Sequence, residues 1–336
     1  MAIQTKSYPR AALIGNPSDG YNGKTIAFLF RNFSVDVELF ESDELRLIPD
    51  ERDSLVFNSI DYLYNEIRYY GYYGGIRLLK ATIKKFVDYC KTNDLPISKE
   101  NFTLSYKTSI PKRLGLAGSS AIITAAMKAL ASFYQIEIPK PVFANLVLSV
   151  ETEELQISAG LQDRVAQAFE APVYMDFDRK IMTELGYGRY ETFSKDLLPN
   201  LYIAFMQDLA EGSEVVHNNL REKYDAGNIL VIKAMDRFAE LTTEAYSCLK
   251  NNQNTKLGSL MNENFDLRRS ICQISVKNIH MIELARSIGA SAKFTGSGGA
   301  IIGTFEDEKM FRSLEEIFSA HQIEILKPDI LDNCES

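Results

Sequence analysis

Residues able to do chemistry gather in short stretches that lie far apart along the chain. In "LGLAGSSA", residues 114–121, Gly115 and Gly118 permit a backbone path and a close approach that side chains would obstruct. Ser119 and Ser120 open an apolar run that reads as a helix. The first amides of a helix have no intrahelical acceptor, and with the helix dipole they can hold a di- or triphosphate. A serine hydroxyl at that place can also ligate Mg²⁺. A plain serine N-cap is the other reading. No Lys follows the last glycine, so this is not a Walker A loop.

The second stretch, "SVETEELQISAGLQDRVAQAF", carries Glu151, Glu153, Glu154 and Asp163 around a glycine-containing turn. One carboxylate near a phosphate-binding helix can hold Mg²⁺ and another can accept or orient a substrate hydroxyl proton. Glu153 and Glu154 also read as a solvated helix face. For Asp163 the alternative is an ion pair with adjacent Arg164. In "SAKFTGSGGAIIGTF", Gly296, Gly298 and Gly299 interrupt a strand pattern, which indicates a bulge, a tight turn or a close-lying backbone or ligand. "GNPSDG" near the N-terminus reads locally as an Asx-type turn. The paired Arg268 and Arg269 read as solvated or interdomain ion pairs, or as partners for an anionic substrate. Tyr69, Tyr70, Tyr72 and Tyr73 suit half-buried packing or stacking on a base. His217, His280 and His321 lack metal-ligand spacing.

The elements that must position these residues follow from periodicity. "FSVDVELF" alternates apolar and polar residues, the mark of a strand with one buried face, and an antiparallel sheet is expected near the N-terminus. "GGIRLLKATIKKFVDYCKTND" shifts to a helical period, with Ile76, Leu79, Ile83, Phe86, Val87 and Cys90 on one side. "NFTLSYKTSIP" reads as a strand, and Pro141 suits the first turn of a further helix. "LYIAFM", from Leu201, reads as a new strand. Helices are expected over Ile229 to Leu249 and Val276 to Ile288. The order of strands and helices does not alternate as in a doubly wound sheet. An α+β fold follows, with mixed or antiparallel sheets and two domains, residues 1–195 and 196–336, divided in the polar stretch Tyr187 to Pro199.

With 336 residues, 46% apolar and 24% charged, the chain can bury a sizeable core. A formal net charge of -8 argues against a broad nucleic-acid footprint and leaves room for a local basic pocket. Cys90, Cys248, Cys272 and Cys334 are scattered, as reduced thiols of a cytoplasmic protein would be. No apolar stretch reaches membrane-spanning length.

Taken together, "LIGNPSD" after a basic residue, "GLAGSSA" after a proline, "GLQDR" and "KFTGSGGA" resemble the ordered motifs of the GHMP kinases, which phosphorylate galactose, homoserine, mevalonate and related small molecules. The resemblance covers nearly the whole chain. It implies ATP and Mg²⁺ as cofactors and an active site in a cleft between two domains. The amides around Gly115, Leu116, Ala117, Gly118 and Ser119 would cradle the ATP phosphates, with Ser120 and Glu151 as Mg²⁺ ligands. Asp163 matches the family's catalytic aspartate, and Arg10 stands where relatives carry a basic residue. Asn16, Asp19, Tyr21, Arg164, Arg268 and Gly298 would face the substrate. Ala117 is a departure, because many members join the Gly-Leu directly to Gly-Ser-Ser. "GYYGGIRLL", "VYMDF" and "NFDLRRS" point within the family to phosphorylation of D-glucuronate at its anomeric hydroxyl, with galacturonate, galactose or a phosphorylated heptose as alternative substrates and a catalytically dead sensor as the alternative role. Asn16 in place of a Glu suits an anionic sugar, because a carboxylate there would repel it.

Overall fold

The computed structural model describes residues 2–51, 74–206 and 220–333. Its first sheet is built from β1 (Ile3–Ser7), β4 (Val35–Glu41), β6 (Phe102–Thr108) and β5 (Arg46–Ile48), in the order β1-β4-β6-β5. The alternation read in "FSVDVELF" is realised in β4, where Val35, Val37 and Leu39 are buried while Asp36 and Glu38 reach solvent. The expected antiparallel pairing holds for β1 with β4 and β4 with β6, whereas β5 joins β6 in parallel. Sheet two runs β2-β3-β7-β8, from β2 (Arg10–Ile14), β3 (Lys24–Leu29), β7 (Val173–Asp176) and β8 (Arg189–Thr192). A third sheet, β10-β11-β9-β12, holds β9 (Leu201–Phe205), β10 (Lys293–Phe294), β11 (Ala300–Thr304) and β12 (Glu324–Leu326).

Helices cover these sheets: α1 (Gly75–Thr92), α2 (Gly118–Phe133), α3 (Lys140–Ser149), α4 (Gln162–Phe169), α5 (Arg179–Leu185), α6 (Ile229–Lys250), α7 (Asn254–Ile271), α8 (Val276–Ser287) and α9 (Glu308–Ala320). The apolar side of α1 packs on α2, which in turn covers β1 and β4. Thr5 Oγ1 donates to Ala125 O at 2.7 Å and fixes α2 on the sheet. The stretch Tyr187 to Pro199, which reads in sequence as a polar boundary, contains β8. One apolar cluster includes Leu13, Val165, Ile203, Phe238 and Leu257, and a second, smaller one lies wholly beyond residue 200.

β2 positions the site. It is the edge strand of its sheet and is buried along its whole length, so its outer edge needs partners. Two glycine-rich segments supply them: Arg10 N donates to Leu116 O at 3.1 Å and Ala12 N to Thr295 O at 2.9 Å. Segments almost two hundred residues apart in sequence are thereby seated side by side on one strand.

Candidate active site

The start of α2 differs from those of α5, α6 and α9. Asp178, Asn228 and Asp307 cap α5, α6 and α9 with their side chains, whereas Ala117 before α2 has none to offer. Among the described residues, the amides of Gly118, Ser119 and Ser120 donate to no acceptor. The two serines therefore do not act as the N-cap, because the helix begins at Gly118 and Ser120 Oγ donates to Ala117 O at 3.1 Å. Ala117 has a left-handed backbone, φ 62°, which costs an L-residue about 1 kcal/mol. Its carbonyl is held by Ser120 Oγ, by Gln167 Nε2 at 3.1 Å and by Ala121 N at 3.1 Å. The departure at this position is thus absorbed into a fixed turn that leaves the helix amides open.

The third stretch meets this turn directly. β10 and β11 form a hairpin whose tip is the Thr295–Gly299 segment, so the glycines mark a turn between strands and also a close approach. A Cβ on Gly115, φ +63°, would lie 2.8 Å from Ser297 N, and one on Gly296 would lie 2.2 Å from Gly115 O. The two segments interlock because neither glycine carries a side chain. Gly298, φ +143°, lies on the same tip.

Arg10 ties the arrangement together. Its Nε donates to Asp163 Oδ1 at 2.7 Å, its Nη2 lies 2.5 Å from the same oxygen, and its Nη1 donates to Gly115 O at 3.2 Å and to Thr295 O. The ion pair with Arg164 expected as the alternative for Asp163 is present as well, at 3.2 Å. Asp163 therefore sits between two guanidinium groups, with 18% of its side chain exposed against 5% for each arginine. Burial pushes its carboxyl up, but Arg10, Arg164 and a hydrogen bond from Gln162 outweigh burial and hold it below the ordinary carboxylate range. It stays ionised at neutral pH and is a weak base. Glu151 is buried against Arg164, which donates to its Oε2; burial raises its carboxyl despite that partner. Glu153 and Glu154 reach outward and pair with Lys85 and Lys84 at 2.5 and 2.6 Å.

The NPSD segment follows β2 directly. Asn264 of α7 clamps it, accepting from Gly15 N at 2.7 Å and donating to Asn16 O at 3.2 Å. Asn16 Nδ2 reaches Gly296 O at 3.3 Å, while its Oδ1 is buried and has no hydrogen-bond partner among the described residues. Asp19 Oδ2 accepts from Gln162 N at 3.4 Å, which brings the second carboxylate beside Asp163. Burial, and then the Asp163 charge, raise the Asp19 carboxyl to about 6. A raised acid contributes stability below its unfolded value, and that stability is lost as pH rises through the folded value. Asp19→Asn is accordingly expected to stabilise the fold by about 1 to 2 kcal/mol at pH 7.5, with the gain vanishing below about pH 4. Thermal melts across that range check it; an equal or lower melting temperature for the variant at pH 7.5 would contradict the buried-charge account.

The arginines divide differently from their sequence reading. Arg268 is buried and forms no ion pair among the described residues: its Nη1 and Nη2 hold Gly296 O at 2.6 Å and Ser297 O at 3.2 Å. Its helix neighbour Arg269 points outward, 3.9 Å from Glu283. Arg164 engages Gly160 O, Asp163 and Glu151 through its two Nη atoms, and its buried Nε has no hydrogen-bond partner among the described residues. Sequence reasoning passed over Lys293, which is fully buried and donates to Ala12 O and Phe294 O, both at 2.7 Å. A lysine between Ala292 and Phe294, just before a glycine turn, was the available signal. His280 and His321 come together with ring centroids 5.0 Å apart, a proximity invisible in their spacing. Tyr69, Tyr70, Tyr72, Tyr73, His217 and Cys334 lie outside the described residues. Cys90, Cys248 and Cys272 are free thiols, and no helix among the described residues is long and apolar enough to cross a membrane.

The sequence and the fold have relatives among known proteins. Residues 77–171 match the model of the GHMP kinases N terminal domain. The chain is 43% identical over 308 residues to Glucuronokinase 1 of Arabidopsis thaliana, covering 90% of this chain and 84% of that one. Among solved structures, Lactococcus lactis galactokinase complexed with galactose superposes with a TM-score of 0.76 at 17% identity, covering 98% of this chain and 94% of that one. Streptococcus pneumoniae phosphomevalonate kinase in complex with phosphomevalonate and AMPPNP gives a TM-score of 0.75 at 15% identity, covering 98% and 100%.

Proposed function

The chain belongs to the GHMP kinase family, and on that footing we propose that it transfers the γ-phosphoryl group of ATP to the anomeric hydroxyl of D-glucuronate, giving glucuronate 1-phosphate and ADP. The observation that carries the reading is the 43% identity to a glucuronokinase across nine-tenths of the chain. The geometry supports it, because the open amides at the start of α2 lie beside an arginine-flanked aspartate.

In this reading the amides from Gly115 to Ser119 receive the ATP phosphates at the helix N-terminus. Oxygen donors suit Mg²⁺, which keeps few protein ligands and takes the rest from phosphates and water. Ser120 Oγ and the Glu151 carboxylate are the donors that would hold it, with Arg164 fixing Glu151 in place. Bound there, the ion would neutralise charge on the phosphates. Asp163 orients the sugar hydroxyl and accepts its proton late, as a loose transition state asks for little base strength. Arg10 fixes that carboxylate and carries positive charge beside the reacting oxygens. Asn16, Asp19 and Tyr21 are assigned to the sugar side, together with Gly298 of the hairpin tip. Residues 1–195 would form the ATP-binding domain and 196–336 the second domain, which brings the hairpin over the site.

The test is ADP release with Mg²⁺ and ATP on D-glucuronate, D-galacturonate, glucose, galactose and mevalonate. D-Glucuronate is expected to exceed the neutral sugars in kcat/KM by at least about a hundredfold, because a site that pairs a charged group rejects analogues lacking it. Equal turnover of glucose or galactose would refute the sugar-acid assignment.

A further inference from the structure

We propose that Arg221 reads the carboxylate of the sugar acid. This rests on the sugar-acid kinase reading above. A uronate brings a charge that a partly dry pocket must match, and a guanidinium does so best through paired N–H donors. The arginines nearest the reacting groups are already engaged. Arg10 is divided between Asp163 and two carbonyls, and Arg268 holds two further carbonyls beneath the hairpin tip. Arg164 already faces Asp163 and Glu151, so a third carboxylate beside it would meet two of its own sign.

Arg221, in the helical residues 220–225, is placed otherwise. Its guanidinium carbon lies 4.3 Å above the centre of the Tyr21 ring, and its Nη2 donates to Gly20 O. Tyr21 is itself buttressed by Tyr224, with ring centroids 4.8 Å apart. Arg221 is thus fastened to the short turn Ser18–Tyr21 that carries Asp19. Its side chain remains 46% exposed, and its carboxylate contact among the described residues is a long one, 3.9 Å to Asp225, itself 62% exposed. Such a pair is weak and readily exchanged for a better-placed anion. The contacts also fit. Gln162, next to Asp163 in sequence, donates to Asp19 Oδ2, and Arg221 donates to the carbonyl of Gly20, the residue after Asp19, so Asp19 links the reacting end to Arg221. The carboxylate and the anomeric hydroxyl project from different ring carbons, and a site that holds both needs a cation set apart from the phosphoryl-transfer end.

Arg221→Ala and Arg221→Lys test this, with kcat and KM measured for D-glucuronate and for D-glucuronamide, which has the same shape without the charge. Arg221→Ala is expected to raise KM for D-glucuronate about 10- to 100-fold, the loss of one charge-assisted interaction, with kcat changed by less than about threefold. The preference for glucuronate over its amide should fall by at least about tenfold, and Arg221→Lys should restore part of it. Equal losses on both substrates would show that Arg221 only props Tyr21 and would overturn the inference. Unchanged constants would overturn it as well, placing the carboxylate elsewhere. A wild-type enzyme that leaves D-glucuronate untouched would refute the substrate reading first and this inference with it.

Discussion

Asp163→Asn is expected to lower kcat about a hundred- to ten-thousand-fold while ATP binding stays within about threefold of wild type. The substitution keeps the shape and the acceptor oxygen that Arg10 Nε engages, and removes the charge that two guanidinium groups surround. Because Arg10 and Arg164 hold the Asp163 carboxyl below its ordinary range in spite of burial, it does not titrate near neutrality. The kcat profile should therefore show no limb from Asp163 between about pH 5 and 9. An acid limb near pH 6 would belong to Asp19, raised to about 6 by burial and by the Asp163 charge, and should disappear in Asp19→Asn. Single-turnover kinetics separate the chemical step from binding. A kcat for Asp163→Asn within about threefold of wild type would remove this residue from the mechanism.

The second large effect is expected at Gly296→Ala. The added Cβ would sit 2.2 Å from Gly115 O and 3.1 Å from Arg10 Nη1, and neither can yield freely. Gly115 O belongs to the backbone of the phosphate-side turn and is also an acceptor for Arg10. The two glycine segments must therefore separate, at a cost of about 1 to 3 kcal/mol in stability, and Arg10 must shift relative to Asp163. A displacement near 1 Å at the reacting groups costs about a hundredfold in rate. We expect kcat/KM to fall at least that far, with a melting temperature several degrees lower. Near-normal activity in a folded variant would mean that the contact between the segments does not position the site.

The sequence made the parts of this site legible and left their joining hidden. Val35, Val37 and Leu39 announced a strand by period alone, because one face of that strand is buried and the other is wet. The helix after Gly118 was equally plain from its apolar run. The parallel partner β5 was not, since three residues with one exposed face carry too short a pattern to reveal direction. The glycine segments were recognisable one by one, but their contact through Gly115 and Gly296 is a tertiary fact without a local signature. Paired arginines in "LRRS" suggested a common solvated face. On a helix, however, adjacent residues point about 100° apart, and Arg268 turned inward to the hairpin carbonyls while Arg269 turned outward. Lys293 escaped notice because a lysine in a strand is read as exposed. Here its amine is satisfied by two backbone carbonyls, and burial together with the Arg268 and Arg10 charges drives it well below its ordinary pKa.

At Asp163 the ion pair with its neighbour is realised, and that pair leaves a catalytic role open. The adjacent Arg164 does pair with it, and yet that pair is part of the site, because Arg164 also holds Glu151. The second guanidinium beside Asp163 comes from Arg10, about 150 residues earlier in the chain, on the edge strand β2.

Transfer of the phosphoryl group from ATP to the anomeric oxygen of a sugar acid is best tested by phosphorus NMR of the product formed from D-glucuronate, Mg²⁺ and ATP. One new phosphomonoester signal is expected, coupled to the anomeric proton and growing in step with ADP. A phosphate coupled to any other ring proton, or ADP formed with no sugar phosphate, would contradict it.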